Sequence, residues 1–380
     1  MNQNGIPILR LDYTQDDIDY INNGVEEVLR SGYLTMGDKV AQFEKEFSEF
    51  VGTKYGIATN SGTSSLEIVL RAIGIEGCTV IVPSNTFMAT AIAVVHAGGR
   101  VVFADCEKNN LQLDPDDLKK QLQSDTRGVI LVHIGGIISP HLDEIRNFCG
   151  ENGLFLLEDA AHAHGSSIDG RKAGALGIAG SFSFYPTKVF VTGEGGMITT
   201  DDEEIHRKAL ILREHGKESP NENIHTEMGY NWRFSEMHAV LGLLQMKKAE
   251  TILAERRRIA RMYDKRLGDV KGITRLEIPL NIESSYYKYI VFLDETIDRD
   301  SFKERMDRNY KVKLTGEVYS HPCHSQPVFE TYPDMIANLP FATFPGTAYV
   351  SQRHICLPLY PGLIEEEVDY VVDSLKRTLQ

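Results

Sequence analysis

The feature that most constrains this chain is a regular alternation between residues 55 and 200. Short apolar runs, rich in β-branched residues, are separated there by segments of helical periodicity. The runs cover Tyr55–Thr59, Thr79–Pro83, and residues 101–104, 128–134, 154–157, 181–185 and 197–199. They are apolar nearly throughout rather than at every second position, as expected of strands covered on both faces. In the segment 64–73, Leu66, Val69, Leu70 and Ile73 follow the i, i+3, i+4, i+7 spacing of a helix with one apolar face. Strand–helix alternation of this length predicts an α/β fold with a mostly parallel, doubly wound sheet.

After residue 235 the pattern changes. A long helical periodicity spans 236–263, and strand signals become sparse, 287–293 being the clearest. This places a boundary near residue 250. Residues 1–250 then form a large domain, and 251–380 a smaller C-terminal α+β domain. Ahead of the alternating region lie a helix over 15–30 and a turn-rich stretch over 31–37. There is no internal repeat and no low-complexity segment.

Composition excludes several classes. The net charge of −14 opposes a nucleic-acid partner, because phosphate backbones are held by a basic face. The densest basic stretch, Arg256-Arg257-Arg258 beside Glu255, reads as a solvated helix face. No apolar run approaches the roughly 20 residues that span a bilayer, so no membrane association is expected. Met1-Asn2-Gln3-Asn4 lacks the basic and apolar pattern of a signal peptide, which makes a cytoplasmic location the expectation. Five cysteines without a CxxC pair give neither a zinc site nor a disulfide framework. His321 and His324 are separated by Pro322, which breaks the helix that would align them. His162 and His164 point to opposite faces of an extended chain. Neither pair is read as a metal site.

Four features carry chemistry. Asn60-Ser61-Gly62-Thr63-Ser64 joins a strand to a helix. It reads either as a phosphate-holding helix start or as a well-capped helix with Ser64 and Glu67 as capping box. Asp159 follows a buried strand, where open α/β sheets gather ligands. It would pair with a protonated heterocyclic nitrogen or serve as N-cap for 160–164. Lys188 follows Ser181-Phe182-Ser183-Phe184-Tyr185-Pro186-Thr187; beside an apolar strand end its amine is either desolvated and reactive or simply solvated. Ser183, five residues earlier, is placed to reach the same phosphate. Thr192-Gly193-Glu194-Gly195-Gly196 then gives three glycines in five residues, a close backbone approach or a plain turn.

In combination these residues resemble the DegT/StrS-type nucleotide-sugar aminotransferases, within the fold-type-I pyridoxal-phosphate (PLP) enzymes. The resemblance runs almost end to end. It begins at Ser31-Gly32-Tyr33-Leu34-Thr35-Met36-Gly37 and continues through Pro83-Ser84-Asn85-Thr86-Phe87-Met88-Ala89-Thr90 and Glu158-Asp159-Ala160-Ala161-His162-Ala163-His164-Gly165. It takes in the lysine and glycine segments, then Asn231-Trp232-Arg233-Phe234-Ser235-Glu236 and Leu357-Pro358-Leu359-Tyr360-Pro361-Gly362-Leu363.

The resemblance implies that Lys188 bonds to PLP and moves protons, and that Asp159 pairs with the ring nitrogen. It implies that Gly62, Thr63 and Ser183 hold the phosphate, with Asn231 supplied by the neighbouring subunit of a homodimer. Phe87 would stack on the ring, and His162, where many relatives have Gln, would hydrogen-bond the ring hydroxyl. Thr35, Lys288 and His324 fall on the substrate side. The implied reaction takes an amine from L-glutamate, passes through pyridoxamine phosphate, and delivers it to C-3 or C-4 of a nucleotide-linked keto-sugar in amino-sugar biosynthesis. Relatives with histidine at the lysine position are dehydratases; Lys188 argues against that activity. Tyr286-Tyr287-Lys288-Tyr289, Gly135-Gly136-Ile137-Ile138 and the stretch from Glu317 to Cys323 depart from the family pattern. A keto-cyclitol or other polyhydroxylated ketone is therefore an alternative acceptor, and a PLP-binding regulatory homologue without turnover is the alternative class.

Overall fold

Seven strands of the computed structural model form one central sheet. The structure describes residues 5–219, 222–268, 270–339 and 342–380; the N-terminal Met1-Asn2-Gln3-Asn4 stretch considered above lies outside them. In chain order the strands are β1 (Tyr55–Thr59), β2 (Thr79–Pro83), β3 (Arg100–Ala104), β4 (Thr126–Val132), β5 (Phe155–Asp159), β6 (Ser167–Ile168) and β7 (Arg171–Lys172). They continue as β8 (Ala179–Ser183), β9 (Gly196–Thr200), β10 (Ile273–Arg275), β11 (Ile282–Glu283), β12 (Tyr289–Leu293) and β13 (His354–Leu357). The large sheet has the order β1-β9-β8-β5-β4-β2-β3. Strands β3, β2, β4, β5 and β8 pair in parallel, while β9 runs antiparallel between β8 and β1. The α/β architecture with a mostly parallel sheet is the one that the alternation predicts.

This topology gathers the chemistry. With only β9 reversed, the carboxyl ends of β1, β2, β4, β5 and β8 share one edge with the amino end of β9. Asn60, Ser84, His133, Asp159, Ser183 and Gly196 therefore lie along a single rim, the usual place for a ligand in such a sheet.

Several expected strands shift: that over 128–134 is Thr126–Val132, that over 287–293 begins at Tyr289, and two others move for identifiable physical reasons. The strand expected over 154–157 extends to Asp159, because its two final acids are buried and paired rather than solvated. That expected over 181–185 is Ala179–Ser183. Gly180 lets the turn at Gly174 pass so closely over the strand that a Cβ on Gly180 would lie 2.4 Å from Gly174 Cα.

The described buried apolar residues gather in two cores. The first surrounds the large sheet, with Phe43, Phe47, Phe103, Phe182 and Phe184 fully buried. The second unites Ile6, Tyr263, Tyr289, Phe302, Ile355 and Val371 around the antiparallel sheet β10-β12-β13. Helix Glu236–Leu267 serves both: Leu243, Ala249 and Leu253 enter the first core, and Ile259, Ala260 and Tyr263 the second. Among the described residues no helix is long and apolar enough to cross a membrane.

The arginine cluster on this helix corrects the sequence reading. Arg256 is only 2% exposed and donates to the carbonyls of Tyr286 and Tyr287. Arg257 donates to those of Ser284 and Gly165. Only Arg258, paired with Glu255, keeps to the expected surface pattern. Backbone carbonyls from a distant segment replace the water that a solvated face would have supplied.

Candidate active site

The phosphate-type loop forms as follows. Ser61, in extended conformation, caps helix Gly62–Ile73, and its Oγ accepts the Ser64 N–H at 3.1 Å. The expected Ser64–Glu67 capping box does not form. Ser64 lies inside the first turn and donates to Asn60 Oδ1 at 2.7 Å, while Glu67 pairs with Arg71 at 2.8 Å. The Gly62 and Thr63 amides thus open the helix without a hydrogen-bond partner among the described residues. Free N–H groups at the positive end of a helix suit an anion. The loop is also pressed from two sides. A Cβ on Gly62 would lie 2.8 Å from Ser183 Cβ, and one on Gly196 would lie 2.3 Å from the Ser61 carbonyl oxygen. Ser183 and the glycine turn before β9 are thereby brought against the loop.

Asp159, at the end of β5, is 6% exposed. Thr90 donates to its Oδ2 at 2.8 Å, and the Ala161 N–H to its Oδ1 at 3.2 Å. Burial raises its pKa; those two donors and the charges of Lys188 and His133 oppose the rise. No helix follows, so the N-cap alternative falls: residues 160–164 are turns and irregular chain.

Lys188 is half-buried, with its Nζ 5.1 Å from the centre of the Tyr287 ring. That ring lies on His162 at 4.1 Å, and its hydroxyl meets Thr187 Oγ1 at 3.2 Å. His162 Nε2 meets the Tyr319 hydroxyl at 3.1 Å, whereas its buried Nδ1 has no hydrogen-bond partner among the described residues. Burial first, then the charges of Lys188 and Lys288, hold the His162 pKa well below the usual histidine range, so the ring is neutral.

Tyr287 arrives from far along the chain, on a segment fastened to the sheet rim. Ser284 Oγ donates to the Gly136 carbonyl at 2.8 Å, the Ser285 N–H to Ser166 Oγ at 3.0 Å, and the Lys288 N–H to the Gly135 carbonyl at 3.2 Å. Gly136 has φ +86°, and a Cβ there would lie 2.9 Å from the Tyr287 nitrogen. The atypical Gly135-Gly136 pair is the docking surface for the equally atypical tyrosine segment.

The remaining expected residues are spread more widely. Phe87 is 59% exposed, with its ring 5.8 Å from that of Tyr319. Lys288 is half-buried, with Nζ 4.9 Å from the Tyr287 ring centre, and burial lowers its pKa. Exposed Asn231 accepts from Asn60 Nδ2 through its carbonyl at 3.3 Å. Exposed Thr35 donates to the Phe234 carbonyl at 3.0 Å, on the flank that also carries Asn231. His324 shares a hydrogen bond with Ser84 Oγ at the end of β2, and its ring packs 4.4 Å from Phe344. Among the described residues, no hydrogen bond or ring contact joins Thr35 or His324 to Lys188, Asp159 or His162. Sequence reasoning missed Thr90, Tyr287, Tyr319 and Arg256 as site-building residues. Signals existed for three of them: Thr90 lies in the 83–90 motif, and Tyr287 and Tyr319 lie in two of the stretches that depart from the family pattern.

These residues fit PLP by chemistry. Free helix-start amides suit its phosphate, a buried carboxylate suits a protonated ring nitrogen, a partnerless imidazole nitrogen suits a ring hydroxyl, and a primary amine stands nearby. Fold and site together define a fold-type-I, PLP-dependent aminotransferase, a class shared by the structural neighbours. The sequence matches the model of the DegT/DnrJ/EryC1/StrS aminotransferase family over residues 15–376, and the chain belongs to that family. It is 35% identical over 366 residues to the spore coat polysaccharide biosynthesis protein SpsC of Bacillus subtilis, covering 93% of this chain and 92% of that protein. With GDP-perosamine synthase of Vibrio cholerae it shares 30% identity over 98% of each chain. The crystal structure of NtdA from Bacillus subtilis, with pyridoxamine phosphate bound, superposes with a TM-score of 0.90 at 28% identity, over 100% of this chain and 86% of that one.

Proposed function

We propose that this enzyme transfers the amino group of L-glutamate to C-3 or C-4 of a nucleotide-linked keto-sugar. The observation that carries the reading is the placement of Lys188, Asp159 and the Gly62–Thr63 amides on one sheet rim, in a family whose named relatives include sugar aminotransferases. PLP supplies an electrophilic aldehyde and a ring that accepts the electron pair released at carbon. Asp159 holds a proton on the ring nitrogen. Gly62, Thr63 and Ser183 bind the phosphate, Phe87 covers a ring face, and His162 donates to the ring hydroxyl from Nδ1. That donor is consistent with the Tyr319 O–H pointing at Nε2, which leaves the proton of the neutral imidazole on Nδ1. Lys188 takes a proton from the donor carbon and returns one to the acceptor carbon.

In the same reading Asn231 completes the phosphate site of the partner in a cytoplasmic homodimer, its exposure being the supporting feature. Thr35, Lys288 and His324 line the acceptor side. Residues 1–250 and 251–380 act as large and small domains, in line with the change of core along the long helix. The test is spectral. L-glutamate should bleach the visible absorbance of the purified holoenzyme with stoichiometric release of 2-oxoglutarate, and a nucleotide-linked keto-sugar should restore the colour. Restoration only by ketones without a nucleotide would overturn the acceptor assignment; absence of bleaching by glutamate would overturn the donor.

A further inference from the structure

Asp159 does not stand alone on the rim. Thr90 Oγ1 lies 2.8 Å from its Oδ2, and Thr86 Oγ1 lies 2.8 Å from Thr90 Oγ1. All three side chains are buried, at 6%, 0% and 2% exposure. The direction of the chain follows from its end. An ionised carboxylate only accepts, so the Thr90 proton points at Asp159, and Thr90 oxygen then accepts the proton of Thr86. Both threonines belong to one short stretch, Thr86 just before helix Met88–His96 and Thr90 in its first turn. The helix start therefore aims two aligned O–H dipoles, and its own positive end, at one oxygen of Asp159. The other oxygen is turned by the Ala161 N–H.

We infer that Thr90, backed by Thr86, is a positioning residue that fixes the orientation and the negative charge of Asp159. The inference rests on the reading of Asp159 as partner of the cofactor's ring nitrogen. Burial works against the charge, and a neutral Asp159 has no electrostatic hold on a protonated ring. The other groups acting on Asp159 are Lys188 and His133, which favour its ionisation, and Tyr319, whose own ionisation Asp159 opposes. Of the side chains around it, only the hydroxyl of Thr90 donates a hydrogen bond to the carboxylate among the described residues.

The test compares Thr90→Val, which keeps the shape, with Thr90→Ser, which keeps the hydroxyl. The readout is the dissociation constant of PLP from the apo-protein, followed by fluorescence from about pH 5 to about pH 9. Thr90→Val should weaken binding by roughly tenfold near neutrality, the usual scale for a hydrogen bond to a charged group, and should move the acid fall-off in affinity to higher pH. Thr90→Ser should follow the wild type, and Thr86→Val should shift the profile in the same direction by less. Wild-type affinity and profile in Thr90→Val would overturn the inference, as would equal losses in Thr90→Ser and Thr90→Val, which would assign the effect to packing. Should Thr90→Val not fold, an unchanged profile in Thr86→Val overturns the relay. Asp159→Ala separates the two levels. If it binds PLP like the wild type, the role of Asp159 itself fails; if it binds weakly while Thr90→Val is unaffected, only the inference fails.

Discussion

The ring of Tyr287 lies against that of His162, with centroids 4.1 Å apart and planes 22° from parallel. The contact joins residues 125 positions apart (287 − 162) and makes Tyr287 one wall of the site that holds Lys188. Replacing Tyr287 by Ala removes the wall and admits water beside a neutral imidazole. We expect Tyr287→Ala to lower kcat/KM by at least tenfold, corresponding to more than about 1.4 kcal/mol of lost transition-state stabilisation. Tyr287→Phe keeps the stack and loses only the 3.2 Å contact with Thr187, so it should stay within about threefold of wild type. Steady-state kinetics of both variants checks this; equal losses in the two would assign the effect to the hydroxyl.

Gly62 is where a single methyl group has the most direct consequence for cofactor binding. Its Cβ would come within 2.8 Å of Ser183 Cβ and 3.1 Å of the Phe182 carbonyl oxygen, neither of them the flexible end of a long side chain. Gly62→Ala should force β8 away from the helix start and spoil the phosphate cradle. The expected result is PLP affinity reduced by about tenfold or more, with a thermal midpoint lowered by a few degrees, consistent with about 1–3 kcal/mol of overpacking strain. Unchanged affinity would place the phosphate elsewhere.

Lys188→Ala removes the amine that stands 5.1 Å from the Tyr287 ring centre and acts electrostatically on both Asp159 and His162. Release of 2-oxoglutarate from glutamate should fall by at least about 10³-fold, at the strong end of acid–base contributions combined with loss of the covalent link. PLP should still bind through its phosphate and ring contacts, visible by equilibrium dialysis. Turnover near the wild-type rate would remove Lys188 from the mechanism.

How much of this was legible beforehand follows from which interactions are local. β1 and β2 have their expected ends because apolar, β-branched residues stop abruptly at Asn60 and Ser84. Lys188 and Asp159 were singled out because each stands at or just after an apolar run, and only in combination with the neighbouring motifs and the family resemblance did they acquire roles. The misses are non-local. Arg256 is buried because carbonyls about 30 residues away replace its water, and no helix periodicity encodes that. Thr90 looks like an ordinary first-turn residue until β5 sets Asp159 beside it. Glu158 fails an apolarity criterion yet is fully buried, because His133 and the N–H groups of Gly174, Leu176 and Gly177 satisfy it. Polar burial depends on partners that only the fold assembles.

Arg256 gives a prediction that separates scaffold from chemistry. Its guanidinium donates three hydrogen bonds to the Tyr286 and Tyr287 carbonyls, and burial pushes its pKa down to about 10. Arg256→Met keeps much of the apolar stem but leaves those carbonyls unpaired. The apo-protein should lose about 2–3 kcal/mol of stability in urea unfolding. Arg256→Lys should recover only part of this, since an ammonium cannot reproduce the fork. Full recovery in Arg256→Lys would show that charge alone suffices.

His164 sets the acid side of the stability profile. Its ring sits among Phe47, Phe182, Phe184 and Phe190, with centroids 5.2–6.4 Å away, and is fully buried. Burial, aided by the charge of Lys188, lowers its pKa to about 3; the Ser183 backbone opposes this without a well-formed hydrogen bond. The unfolded chain therefore takes up a proton near the ordinary histidine value of about 6.5, and the folded chain refuses it until about pH 3. Stability carried by this group is complete above about pH 6.5 and declines as the pH falls toward about 3, by on the order of 1 kcal/mol per unit. His164→Phe deletes the proton and fits the aromatic surroundings. In urea titrations of the apo-protein, the variant should gain on the wild type steadily as the pH drops from about 7 to about 4. Some slope should persist, because buried His354, with its pKa lowered to about 4, titrates in the same sense. Parallel curves for the two proteins would mean that His164 is not the buried neutral group described.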